Sequence, residues 1–150
     1  MADGDLTTTR TARCACGTLT AQTIGDPEFV VACHCLECQR RTGSVFGVGA
    51  YYPTAKVTIA GTFNVYVRDG QAGRKLRFRF CPTCGTTVFW DVDLRPGYMG
   101  VAVGAMGDPG FPPPTRSVWE QSRHPWVACG HDVPRFDQQA LVATDRKPQA

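Results

Sequence analysis

Cys33, Cys35 and Cys38 fall within six consecutive positions of the stretch Ala32-Cys-His-Cys-Leu-Glu-Cys-Gln-Arg-Arg41, and this spacing constrains the chain more than any other feature. Thiolates two and three residues apart curl around one ion about 2.3 Å away, and zinc is the usual occupant of such soft sites. A structural zinc takes four protein ligands, whereas three ligands and an open position mark a catalytic one. Whatever fold the chain adopts must deliver this cradle intact.

The remaining cysteines of the eight divide by spacing. Cys14-Ala-Cys16-Gly17 and Phe80-Cys81-Pro-Thr-Cys84-Gly85 are two knuckles far apart in sequence, each closed by a glycine that permits a tight turn. Together Cys14, Cys16, Cys81 and Cys84 are expected to clamp one structural zinc, closed to substrate. Cys129 is left over, and with His131 it could close the three-cysteine site. The first ten residues carry no apolar core of a signal peptide and no later apolar run is long enough for a bilayer. The expected compartment is therefore the cytoplasm, where metal binding explains eight cysteines better than disulfides do. A net charge of +3, with scattered Lys and Arg, speaks against nucleic acid as a partner, and no membrane partner is expected. The sequence carries no signal of oligomeric state.

Alternation of apolar and polar residues predicts an all-β domain over residues 12–137, flanked by flexible tails at 1–11 and 138–150. Leu19, Ala21 and Thr23 mark one strand; Phe29, Val30 and Val31 form a second that runs into Cys33. One helical turn fits between Leu36 and Arg41, closed by Thr42-Gly43. Val45 to Tyr52 places Phe46, Val48, Ala50 and Tyr52 on one face, with Gly47 and Gly49 leaving the other bare. Those glycines would admit a ligand to the backbone, or mark a bulge. Further strands follow at Val57–Ile59, Phe63–Val67, Leu76–Phe80, Val88–Trp90 and Tyr98–Gly104. Trp119, Trp126 and Val127 are expected to cover a core edge, with Val133 to Phe136 as a last anchor.

The chemistry narrows by elimination. Cys81-Pro-Thr-Cys84 is not followed by the long helix that a thioredoxin-like redox pair requires. A zinc deaminase needs a His-x-Glu or Cys-x-Glu together with a Pro-Cys-x-x-Cys, and the chain lacks that pairing: Cys35-Leu-Glu37 is present, but Cys81-Pro-Thr-Cys84 follows Phe80 and not a proline. Zinc on three thiolates carries formal charge minus one, so it generates hydroxide poorly and favours a soft incoming ligand such as a thiol. His34 alternates with the ligand cysteines and points away from them, as a general base or a supporting hydrogen-bonding group. Arg40, Arg41, Arg77 and Arg79 are candidates for a substrate carboxylate, or solvated surface charges. A non-catalytic zinc-bearing interaction module and a thiol redox protein stand as alternatives.

These motifs resemble the glutathione-dependent formaldehyde-activating enzymes, grouped with centromere protein V. The matching stretches are Cys14-Ala-Cys-Gly17, Cys33-His-Cys-Leu-Glu-Cys38 with Gly43-Ser44-Val-Phe46, Phe80-Cys-Pro-Thr-Cys-Gly85, Val103-Gly-Ala-Met-Gly-Asp-Pro109, Trp126, and Pro134-Arg-Phe136. The resemblance implies a β-tent fold, also seen in methionine sulfoxide reductase B. It implies two zincs per chain: a structural one on Cys14, Cys16, Cys81 and Cys84, and a catalytic one on Cys33, Cys35 and Cys38. It also implies carbon-sulfur lyase chemistry that joins glutathione and formaldehyde into S-hydroxymethylglutathione, so the partners are a small-molecule thiol and an aldehyde. The loop from Arg68 to Gly73 and Cys129 depart from the family pattern.

Overall fold

The computed structural model describes residues 7–130 and 132–139. In chain order the main elements are β1 (Thr9–Arg13), β2 (Thr20–Ile24), β3 (Phe29–Cys33), α1 (Leu36–Thr42), β4 (Gly47–Pro53), β5 (Val57–Ala60) and β6 (Asn64–Asp69). They are followed by β7 (Lys75–Phe80), β8 (Thr87–Val92), β9 (Tyr98–Ala102) and β10 (Arg116–Val118). The fold is all-β, as expected, with α1 the one α-helix among the described residues.

Strands β1, β2 and β5 form a small antiparallel sheet in the order β1-β2-β5. The other seven pair in the order β10-β3-β4-β9-β8-β7-β6, antiparallel except for β10, which lies parallel to β3. Because successive strand residues point to opposite faces, the large sheet builds two apolar layers. Val30, Ala50, Tyr52, Val88, Phe89 and Val101 pack with Ala12, Leu19 and Ala21 of the small sheet and its turn. The opposite face carries Phe29, Val31, Tyr51, Phe78, Trp90, Val92 and Val118. Strand β3, covered on both faces, reads accordingly as an unbroken apolar run.

Four expectations change. Strand β1 starts at Thr9, inside the segment expected to be a tail. Strand β4 starts at Gly47 rather than Val45, and its pairing with β3 is continuous, without a bulge. The glycine face of β4 borders the cavity at Gly47 and Gly49, as expected, but it is not bare at Gly49: a Cβ there would lie 2.5 Å from Cζ2 of Trp90, so the indole already fills that space. Trp126 covers no core edge; it is 73% exposed, swung outward by the turn in which the Val127 N–H donates to the His124 carbonyl. Val127 is buried, and Trp119 and Phe136 pack against the aromatic layer as anchors.

Candidate metal centre and thiol site

The two knuckles are the turns of two hairpins, β1-β2 in the small sheet and β7-β8 in the large one. The fold brings them together: Cys14 and Cys16 sulfurs are 3.6 Å apart, Cys16 and Cys81 sulfurs 3.6 Å, and all four, with Cys84, lie within 4.8 Å of one another. Four sulfurs placed tetrahedrally about a zinc at about 2.3 Å are spaced by about 3.8 Å, so the set fits that ion. Two threonines that carry no spacing signal complete the group. The Thr18 hydroxyl lies 3.1 Å from the Cys16 sulfur and 3.5 Å from that of Cys81; the Thr86 hydroxyl lies 3.3 Å from Cys84 and also accepts from the Ala15 N–H at 3.1 Å. Hydrogen bonding from Thr86 pulls the Cys84 thiol down to about 5, and bonding from Thr18 pulls Cys81 down to about 7. The thiolate, the ligand form, is thus favoured at Cys84 and Cys81, whereas the Cys16 thiol is raised.

The second cluster forms where β3 passes into α1. Cys33 ends the strand, Cys35 is the residue that caps the helix, and Cys38 lies in its first turn. The cap is made by sulfur: Cys35 Sγ accepts from the Cys38 N–H at 3.2 Å. At the other end Gly43, at φ 69, returns its N–H to the Gln39 carbonyl and stops the helix. The three sulfurs lie within 4.8 Å of one another, again matching a thiolate-bound zinc. Thiol donors from Cys33 and Cys38 hold the Cys35 thiol down to about 2, whereas the Cys33 thiol is pushed up by its bonds to Cys35 and Cys38 and by burial. Of the two, Cys35 is the thiol whose ionised form the surroundings favour.

The cradle opens into a cavity of about 570 Å³. Tyr51, Phe78, Trp90 and Trp119 supply its aromatic walls, and Leu36 and Leu94 lie among its aliphatic ones. Trp119 stands at φ 57, the only non-glycine with positive φ among the described residues. Arg41 and Arg68 reach the same space; Arg40, Arg77 and Arg79 do not line it. Arg40 pairs with Glu37 on the surface, Arg77 with Asp91 and Asp93, and Arg79 with Asp91. Of the four arginines singled out by sequence, only Arg41 faces the thiols.

Behind the cradle the backbone is tied down by polar groups. His34 is fully buried and outside the cavity lining, its Nε2 2.9 Å from the Ser117 hydroxyl, which donates to Glu120. Cys129 sits on that far side, 3.6 Å from His34 Nε2, and does not join the three-cysteine set; His131 lies outside the described residues. Gln39 of α1 donates to the carbonyls of His34 and Ser122, at 3.0 and 3.1 Å, while its own oxygen is 3.0 Å from His124 Nε2. Nothing in the sequence marked Gln39 or Ser117, since partners more than seventy residues apart are joined only by the fold.

A two-sheet β domain with one four-cysteine and one three-cysteine cluster, the latter opening on a cavity, defines a thiol-rich class whose clusters could each hold a metal ion. The family of glutathione-dependent formaldehyde-activating enzymes matches residues 9–122, which include seven of the eight cysteines, and the chain belongs to it. No curated protein matches the chain. A crystal structure of a Rhodobacter sphaeroides protein, determined as a structural genomics target, is similar at 22% identity over 69% of this chain and 91% of that one, with a TM-score of 0.47. No helix among the described residues is long and apolar enough to cross a membrane.

Proposed function

We propose that the protein is a zinc-dependent carbon-sulfur lyase that joins a thiol, glutathione or a close relative, to formaldehyde or another small aldehyde as an S-hydroxymethyl-type adduct. The observation that carries this reading is the three-sulfur cradle opening on the cavity, beside a four-sulfur site built between two hairpins. Cys14, Cys16, Cys81 and Cys84 would hold a structural zinc, and Cys33, Cys35 and Cys38 a catalytic one. Zinc on three thiolates supplies an open position that favours a soft ligand and keeps a substrate sulfur ionised.

Ionisation alone accounts for little of the rate. A free thiol of pKa about 8.5 is roughly 3% thiolate at pH 7, so full ionisation gains about thirtyfold. Lowering its pKa by about three units costs roughly twentyfold in nucleophilicity at a Brønsted slope near 0.45. The chain's contribution is then positional: the cavity walls hold sulfur and aldehyde carbon at attack distance and exclude water. Metal analysis and calorimetric titration with glutathione on one sample test the reading. Two zincs per chain, with glutathione binding and formaldehyde turnover lost in Cys35→Ser, are expected. Two zincs without thiol binding would defeat the lyase assignment.

A further inference from the structure

Arg41, Arg68, Arg74 and Arg95 line the cavity, whereas Arg40, Arg77 and Arg79 do not. Arg40, Arg77 and Arg79 have carboxylate partners. Arg41 and Arg68, which line the cavity with the three thiols, have none among the described residues. Aromatic faces hold them instead: the Arg41 guanidinium carbon lies 4.9 Å from the ring centres of both Phe78 and Trp90, and that of Arg68 lies 5.5 Å from Phe78. Ring faces steady a guanidinium without consuming its N–H donors. The Arg41 Nε is buried and bonded to nothing among the described residues. A buried donor on a fixed cation is costly to leave unpaired, and it is suited to an anion that arrives only during reaction.

Gly47 shows how near this cation stands to the sulfurs. A Cβ built on Gly47 would lie 3.0 Å from Arg41 Nη2 and 3.7 Å from the Cys38 Cβ, and Gly47 pairs directly with Cys33 across the sheet. The absent side chain lets guanidinium and cradle share one corner of the cavity.

We propose that Arg41 is a catalytic residue that receives the negative charge formed on the carbonyl oxygen when a thiolate adds to the aldehyde, with Arg68 as a second cation beside it. The proposal rests on the thiol-aldehyde reading above. The thiol first loses its proton to solvent. The sulfur lone pair forms the C–S bond, the C=O π pair moves onto oxygen, and the alkoxide is held by the Arg41 N–H groups until water protonates it. Thiol and aldehyde thus become a hydroxyalkyl thioether with no net redox change. Arg41 acts as a donor and not as an acid, because a guanidinium keeps its proton.

Steady-state kinetics with glutathione and formaldehyde, and calorimetric titration with glutathione, on the zinc-loaded full chain test this. Arg41→Met is expected to lower kcat by about a hundredfold or more while glutathione affinity changes by less than about threefold. Arg41→Lys should recover little, since an ammonium lacks the planar, stacked fork. Guanidinium ion added to Arg41→Ala should restore part of the rate. A variant that loses glutathione affinity at unchanged kcat would make Arg41 a holder of the substrate carboxylate and overturn the proposal. If the Arg41 variants lose zinc, Gly47→Ala decides: it keeps every group but displaces Nη2 by a few tenths of an ångström. A fall in kcat at full zinc content is then expected, and full activity would overturn the proposal. Wild type inactive on glutathione and formaldehyde would overturn the parent reading; active wild type with equally active Arg41 variants would overturn this inference alone.

Discussion

Trp90 occupies the space that Gly49 leaves on the neighbouring face of the sheet, with Cζ2 only 2.5 Å from where a Cβ would stand. Gly100 of β9 yields on the other side, its would-be Cβ 2.2 Å from the indole nitrogen, and that nitrogen donates to the Tyr51 hydroxyl at 3.0 Å. The indole is thus laid flat by two glycines and tethered by one hydroxyl, and it presents its face to Arg41. Replacing Gly49 by alanine forces the ring or the strand to move. A loss of about 1–3 kcal/mol is expected from overpacking of this kind, read from the denaturant midpoint at unchanged slope.

The two cysteine clusters should fail differently. Under the proposed assignment Cys84→Ser removes a zinc ligand between the two hairpins, and because metal binding at such a site is folding free energy, loss of zinc and of the cooperative thermal transition is expected together. Cys35→Ser should lose the cradle zinc alone, since a serine hydroxyl caps α1 at least as well as the thiol. Zinc per chain and thermal unfolding, measured on both variants, separate the two sites. An unfolded Cys35→Ser would reverse the assignment of roles.

Gln39 ties α1 to the chain at His34, Ser122 and His124. Outer contacts of this sort typically weigh ten- to a hundredfold in metal affinity. Gln39→Ala is accordingly expected to weaken zinc binding at the three-cysteine site by about that factor while the four-cysteine site stays filled. Competition with a chromophoric chelator should resolve two release steps in the wild type and show the weaker one shifted in the variant.

Glu120 accepts from the Ser117 hydroxyl at 2.5 Å and from Arg123 Nε at 2.6 Å. Burial alone would raise its carboxyl, but these bonds and the charge of Arg123 leave it below the usual value. A carboxyl lowered in the folded state stabilises fully above its unfolded value, about 4.3, and the contribution disappears as pH falls through the folded value. Wild type should therefore exceed Glu120→Gln by about 1–3 kcal/mol at pH 7. The difference between the melting curves of the pair should shrink as pH falls below that unfolded value and vanish once the folded value is passed.

How much of this was legible in the sequence depends on whether the signal is local. Cysteine spacing placed Cys14 and Cys16 with Cys81 and Cys84, and the structure brings those sulfurs together. Period-two alternation located most strands: β2 is buried on the face that its own residues declare, while β6 carries the same alternation with Val65 and Val67 exposed. Cavity lining was not local. Gly49 read as empty because the indole that fills it comes from β8, forty-one positions on. Arg41 and Arg79 looked equivalent until pairing across the sheet gave Arg79 a carboxylate and left Arg41 to the rings. Trp126 looked like core by composition alone, yet one turn sends it to solvent. Ser117 and Gln39 are common polar residues, and the partners that tie them across the fold, His34 and Ser122, lie more than seventy positions away.

Strand β3 ends by turning Cys33 toward the cavity, and the next residue, His34, is buried on the reverse. This arrangement makes the acceptance of new ligands and the upkeep of the scaffold separately heritable. Leu36, Gln71 and Leu94 border the cavity without contributing a sulfur or a bond to the buried polar chain. A lineage, or a directed-evolution library, that varies those three positions alters what the molecule admits while the machinery beneath is copied unchanged.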